Sequence, residues 1–506
     1  MEMRNKTLSR LLLLAVLFVI VWVNSHGERV AINGGIGWDG MIYRDIVCHL
    51  EEKYFTGGFN SYHMHRVLPF VIIHYIMKWT GLAMTDANIL QVAMWLNIVT
   101  LSMTVLCFYR LSHLFRWKGA TEAMAFASVF FTYPVLKYMG YYPLLTDTMA
   151  LFLSFLAACC YFDRGLKHRF LWLTLVGIIS MTVWPVLSLI VLLLVALPSS
   201  ESEATCSDRS DDSSDFLTLA LRWTYVLWVP LVFAAYVWYR MCYRGVDTFN
   251  AIFVGRPVSF LWLLPVAIVA WMAVVWRATG MLQIPVKRLL CVLLERKNLL
   301  RLIVCCVAFV LFYKAIEYFG GPSVFSLPNE LASMCQLPLT DVLIFIESPF
   351  AYLGCFFLLI VCYWREICQE AHRNGVAVLA VLALALLFLA DIGTRKLTAF
   401  YPFMLILLMN VINRRSLPKW MPMVVIVLQL ALSCFWLQIN VEGIEEAFLT
   451  YSIAEYMQFP AQRYFMFHGP WQSHQIYLIY LTIELVLLSA LFLLKRHDKT
   501  HSLREE

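Results

Sequence analysis

The sequence predicts an all-α, polytopic transmembrane helical bundle of about 13–14 spans, with one helix lying in the membrane interface after the first outer loop. Three observations predict it. Hydrophobic residues fill 61% of the 506 positions and charged ones only 14%, against roughly 25% charged in soluble domains, so polar surface is too scarce to face water on every side. The apolar residues come in long blocks, such as Val376–Ala390 and Ile476–Leu494, that carry almost no charge, as hydrocarbon requires. Many of the 17 Trp and 24 Tyr residues stand at block edges, where amphipathic rings prefer the interface. The net charge of +6 sits in a few short segments, a pattern of membrane orientation that speaks against nucleic acid as a partner.

Taken in order, Arg4, Lys6 and Arg10 precede the apolar run Leu11–Val23. A signal peptide has the same layout, with Val23-Asn24-Ser25 as a cleavage site; the segment is read here as a retained anchor with a cytoplasmic N-terminus. The loop Asn24–Arg66 is then on the outer side. Val67–Leu82 is short and contains His74, Lys78 and Trp79, so it reads as an interfacial helix. If it spanned, the basic segments Arg110–Lys118 and Asp163–Arg169 would land outside. The next spans are Ile89–Leu111, Ala120–Leu136, Thr148–Phe162 and a pair broken at Trp184-Pro185 across Phe170–Leu197. Leu219–Tyr239, Phe260–Trp276, Leu302–Phe319, Phe350–Trp364 and Val376–Ala390 follow, then Ala399–Ile412, Met421–Leu437 and Ile476–Leu494. Treating Phe170–Leu197 as a hairpin places Arg277–Arg301, Asn413–Lys419 and the C-terminus in the cytoplasm.

Residues 199–216 are rich in Ser, Asp and Glu and are expected to be a disordered cytoplasmic linker. They divide the chain into an N-terminal membrane module, 1–198, and a C-terminal one, 217–506. The 14 cysteines lie mostly inside apolar runs, where they act as small hydrophobes. Cys48 and Cys335 fall in outer loops, where pairing is open. No Cys or His spacing fits a metal, so no metal ligands and no cofactor are expected.

Ionisable residues gather at the outer side. Gly37-Trp38-Asp39-Gly40 and the following Tyr43-Arg44-Asp45 form an acidic turn at the membrane surface, where partial dehydration raises carboxylate basicity and suits a general base. The alternative is a solvated turn capping a helix. His63-Met64-His65-Arg66 opens the interfacial helix; Arg66 can fork onto a phosphate or anchor the helix among headgroups. Tyr142-Pro143-Leu144-Leu145-Thr146-Asp147 leads into the span at Thr148, with Asp147 either functional or an N-cap. In Asp391-Ile392-Gly393-Thr394-Arg395-Lys396, two outer cations run against the orientation rule, so either an anionic substrate or an ion pair with Asp391 accounts for them.

Together these segments resemble the GT-C superfamily of membrane glycosyltransferases, which includes protein mannosyltransferases and lipid A aminoarabinose transferases. The resemblance rests on Asp39 in Gly-Trp-Asp-Gly, the His65-Arg66-Val67-Leu68-Pro69 opening, Asp147 after Tyr-Pro-Leu-Leu-Thr, and Arg395 six residues before Tyr401-Pro402. Lys396 and Leu397 stand where many members carry Tyr or His. No soluble C-terminal domain is recognisable, unlike the oligosaccharyltransferase branch. The resemblance implies inverting sugar transfer from a polyprenyl-phosphate donor to a glycan, lipid or protein acceptor. Asp39 would be the base, Asp147 would orient the acceptor or support the base, and Arg395 and Lys396, with or without Arg66, would hold the phosphate. Tyr43, Asp45, His65, Tyr142 and Tyr401 would bind substrate. The outer side is periplasm or endoplasmic-reticulum lumen, with a bacterial inner membrane preferred.

Two other readings stand beside it. A transporter or flippase would show internal repeats, and none is visible. A glycan ligase or polymerase with a diphosphate donor would use a large late loop, for which 440–473 supplies Glu442, Glu445, Glu446, Glu455, Arg463 and His468.

Overall fold

The computed structural model describes residues 2–30, 32–197, 214–244, 263–320, 341–391, 393–415, 420–438 and 474–505, with single positions at 331, 335, 338, 339 and 418. Among the described residues all regular structure is helical. Most of the expected linker, and the late loop with its four glutamates, Arg463 and His468, lie outside them.

Among the described residues, seven helices are long and apolar enough to cross a membrane: Lys6–Ser25, Asp86–Leu114, Phe216–Tyr239, Leu264–Leu282, Arg296–Phe319, Thr394–Asn413 and Ile476–Lys495. They make the chain a multi-pass membrane protein. Fewer helices reach span length than there are apolar blocks, because six more run only 10–17 residues.

In chain order the first half contains α1 (Glu2–Ser25), α2 (Trp38–Lys53), α3 (Ser61–Met64), α4 (Leu68–Thr80), α5 (Asp86–Leu114), α6 (Gly119–Phe130), α7 (Met139–Tyr141), α8 (Asp147–Phe162), α9 (Arg169–Ser180) and α10 (Pro185–Ala196). The outer loop is thus not a loop throughout. Tyr43, Ile46, Val47 and Leu50 are buried at the i, i+3, i+4, i+7 spacing that gives a helix one apolar face. That face lies along α4 in parallel: Tyr43 stacks on Phe70 at 4.0 Å, His74 Nδ1 is 2.6 Å from the Val47 carbonyl oxygen, and Lys78 pairs with Glu51. Each contact lies one turn beyond the last on both helices.

The Phe170–Leu197 block is a hairpin. Trp184 has extended backbone ahead of Pro185, as proline demands of its predecessor, and α9 and α10 close on each other through Ser188 Oγ donating to the Gly177 carbonyl at 3.0 Å. The Phe350–Trp364 block starts earlier than expected and breaks into Ile344–Leu353 and Cys355–Cys362 at Gly354. There φ is +64°, and a Cβ would lie 2.8 Å from the Gln429 amide. Both constraints select glycine. Cys48 and Cys335 are free thiols, not a disulfide.

Charge separates to the two ends of the bundle. At one end Glu122 joins Lys6 and Arg10, Arg110 pairs with Asp163, Glu370 with Arg414, and Glu366 with Arg415 and Lys495. The first and last helices therefore present their basic ends together. The halves of the chain are interleaved there: Trp117 Nε1 donates to Asn410 Oδ1 at 3.0 Å and the Lys118 N–H to Asn413 Oδ1 at 2.8 Å. Helix α8 runs from Asp147 at the opposite end to Phe162, next to Asp163.

A Cβ at Gly177 would lie 2.4 Å from the Phe309 ring and 2.8 Å from Val191 Cγ1. Gly177→Val is expected to cost about 1–3 kcal/mol, read as a lowered melting temperature of the purified protein in detergent.

Candidate functional site

The end of the bundle away from the basic belt brings together residues that are far apart in sequence. Two sets of hydrogen bonds do the assembling. The tip of the α9–α10 hairpin is tied to the start of α4: the Leu68 N–H donates to the Thr182 carbonyl at 3.0 Å, and His65 Nδ1 sits 3.2 Å from the Met181 carbonyl oxygen. This sets the Trp184 indole beside Arg66. A 3-10 segment, Thr394–Phe400, is tied to the other wall. Ser154 Oγ donates to the Ala399 carbonyl at 2.7 Å, Tyr401 Oη to the Ser128 carbonyl at 2.5 Å, and the Ser348 and Thr394 hydroxyls meet at 2.7 Å. That lays Arg395 across the N-terminus of α8.

There Arg395 Nη1 lies 3.5 Å from Asp147 Oδ2. Asp147 is the first residue of α8, and Thr146 occupies the cap position. The carboxylate is therefore not the N-cap; it gains from the helix dipole and from Arg395. The ion pair does not close into a well-formed hydrogen bond: both Asp147 oxygens and Arg395 Nη1 are buried without one, and the Tyr352 phenol reaches Asp147 with looser geometry.

The two arginines share one aromatic ring. The Arg66 guanidinium lies 5.4 Å from the Trp184 ring centre and that of Arg395 5.8 Å, and Arg66 also covers Tyr62 at 4.6 Å. Around them, Tyr43 Oη, His63 Nδ1 and Trp184 Nε1 are buried with no well-formed hydrogen bond among the described residues. Burial pushes the Tyr43 phenol up to about 12, an effect that the neighbouring Arg66 partly offsets, so the phenol keeps its proton. Two guanidiniums and a ring of under-used donors make a cage for an anion.

Asp39 faces this cage. It sits in the first turn of α2, partly exposed, with no ion pair among the described residues, and its charge acts on Tyr43, His63 and Arg395. Tyr142 fixes its backbone. The phenol accepts the Gly40 N–H at 3.1 Å, and a Cβ at Gly37, where φ is +80°, would lie 2.3 Å from that ring. The Gly-x-x-Gly pattern around Asp39 is thus the imprint of an aromatic ring against the backbone.

The remaining sequence-selected residues lie elsewhere. Lys396 turns away and pairs with buried Asp391 at 2.7 Å, which realises the ion-pair alternative; Asp391 also accepts the Gly393 N–H. Asp45 is on the α2 surface with Lys53 and His49. His65 stacks on Tyr313 at 4.6 Å, with its ring engaged on Met181. Tyr401 is buried beneath the site, donating to Ser128. Sequence reading missed Trp184, His63 and Tyr62 as site residues; Trp184 was visible only as the residue before a helix-breaking proline.

His63 and His65 are both lowered from their ordinary 6.5 by burial. A depressed histidine leaves the fold unaffected above pH 6.5, where both states are neutral. It removes stability as the pH falls towards the lower folded value, because the unfolded chain takes up the proton first. The melting temperature is expected to drop between pH 6.5 and about pH 5, and to drop less when His63→Gln and His65→Gln are combined. Comparison with known proteins returns no match among family models, curated proteins or solved structures.

Proposed function

We propose that this protein is a membrane glycosyltransferase of the GT-C type, moving a sugar from a polyprenyl-phosphate donor to an acceptor hydroxyl at the extracytoplasmic face. The observation that carries the reading is the cage itself: Arg66 and Arg395 lie 5.4 Å and 5.8 Å from the Trp184 ring centre, with Asp39, a carboxylate that makes no ion pair among the described residues, facing them. A polyprenyl phosphate is a competent leaving group and requires cations more than an acid. Arg395 and Arg66 take the phosphate as its charge develops. Asp39 removes the acceptor proton. Asp147 holds the Arg395 guanidinium in place and is the positioning carboxylate. Attack opposite the departing phosphate inverts the anomeric centre.

The basic belt supports the orientation. Lys and Arg concentrate on cytoplasmic loops, and the belt with both chain ends lies opposite the cage, so in this reading the cage faces the periplasm or a lumen. The short helices count as broken spans in the same reading. Helix α8 has 16 residues, about 24 Å of rise, yet runs from the cage to the belt. Helices α2 and α4 then lie in the outer interface.

In membranes supplied with labelled polyprenyl-phosphate sugar, Asp39→Asn is expected to lower transfer by about 10²–10⁴-fold, with lipid monophosphate as the released product. Unchanged transfer at normal expression would remove Asp39 from the chemistry and the assignment with it.

A further inference from the structure

Helix α9 and the long helix Arg296–Phe319 run side by side in parallel, and their contacts repeat about once per turn. The Arg301 guanidinium lies 4.0 Å from the Phe170 ring centre, Thr174 meets Cys305, and Gly177 faces the Phe309 ring. This seam opens at the end of the bundle that holds the basic belt, just beyond Asp163 and its partner Arg110. At its mouth the Arg169 guanidinium comes to the same Phe170 ring, at 4.8 Å, close enough to Arg301 for the two charges to repel. Both arginines are half-buried, and neither forms an ion pair among the described residues, although Lys6, Arg10, Arg110, Arg414 and Arg415 in the same belt all do. The carboxylates next along the chain are already engaged: Asp163 holds Arg110 and the Gly165 N–H, and Glu295 accepts from Asn298 at 3.0 Å. We infer that this is a binding site for an anionic phospholipid, its phosphate held by Arg169 and Arg301 and its acyl chains lying along the seam.

Two guanidiniums gathered on one ring, with their forks uncommitted, match the geometry of a phosphate. The surroundings select a lipid over a soluble anion. On the bundle side of the ring the two helices expose apolar side chains, Leu171, Trp172 and Leu175 on α9 and Val304 and Val307 on its neighbour. A headgroup at Phe170 therefore leaves its chains against an apolar surface that already faces hydrocarbon. The Trp172 indole stands where amphipathic rings prefer the interface. Lys167 and Lys297, both exposed and close in sequence to the two arginines, add to the attraction for a negative headgroup.

Native mass spectrometry of the full chain in neutral detergent tests this, with phosphatidylglycerol, phosphatidylcholine and glycerol 3-phosphate titrated separately. The tightest phosphatidylglycerol is expected to bind about 30-fold more strongly than phosphatidylcholine, the product of two basic contacts at a membrane surface, and glycerol 3-phosphate should not displace it. Arg169→Gln combined with Arg301→Gln should bring the two lipids to within about threefold of each other. Lys167→Gln combined with Lys297→Gln removes the same charge but should leave a preference of at least about tenfold. Should the glutamine pair of arginine variants not fold, Arg169→Lys with Arg301→Lys keeps the charge, loses the forks and should still lower the preference several-fold. Equal binding of the two lipids by the unmodified chain, displacement by glycerol 3-phosphate, or a loss no greater in the arginine variants than in the lysine pair overturns the inference. Lipid binding at this end needs no sugar transfer, so the result stands apart from the fate of Asp39→Asn.

Discussion

One ion pair organises the end of the bundle that lies away from the basic belt. Arg395 comes from a 3-10 segment late in the chain and Asp147 from the start of α8, and burial makes each a liability without the other: removing one partner of a buried pair costs about 3–5 kcal/mol. The pair therefore fixes where the late segment lies against α8, beside the Trp184 indole and the Arg66 guanidinium. Because the contact spans 3.5 Å without a well-formed hydrogen bond, the guanidinium is held in place while Nη1 stays unused, which is what the proposed phosphate site requires. A tight bidentate pair would have used that donor up.

Around that pair, polar backbone deep in the bundle is satisfied locally. The 3-10 segment, the π-turn Pro134–Tyr138 and the hairpin tip are irregular, which membrane depth tolerates only where protein covers them. Side-chain hydroxyls from Ser154, Tyr401 and Ser188 supply the missing partners. The same bonds decide geometry: shortening α9 and α10 at Trp184-Pro185 brings the hairpin tip to the level of Arg66 instead of carrying one helix past it.

Much of this was legible in the sequence. The apolar blocks became helices, the Trp184-Pro185 break became a hairpin, and Asp39, Arg66, Asp147 and Arg395 were each marked by charge where charge is costly. The α2 helix was legible in the spacing of Tyr43, Ile46, Val47 and Leu50, but the glycines before it read as a turn. Lys396 looked equivalent to Arg395 because adjacent residues share a position in sequence; in a tight helical segment they point apart, and Asp391 captures one of them. Trp184 was legible only as a helix break and His63 only as part of a polar helix opening, and Tyr62 gave no signal; their roles come from which hairpin tip meets which helix start, and periodicity carries no such information.

In the proposed function, Arg66 and Arg395, both beside the Trp184 ring, bind one phosphate together. A double-mutant cycle on farnesyl phosphate binding, with Arg66→Gln and Arg395→Lys singly and combined, measures it directly. Lysine keeps the charge opposite Asp147, so the fold is preserved while the fork is lost. Each single change should weaken binding, and the pair should depart from additivity by about 0.5–3 kcal/mol. Strictly additive losses, or affinity that neither substitution alters, would contradict a shared site.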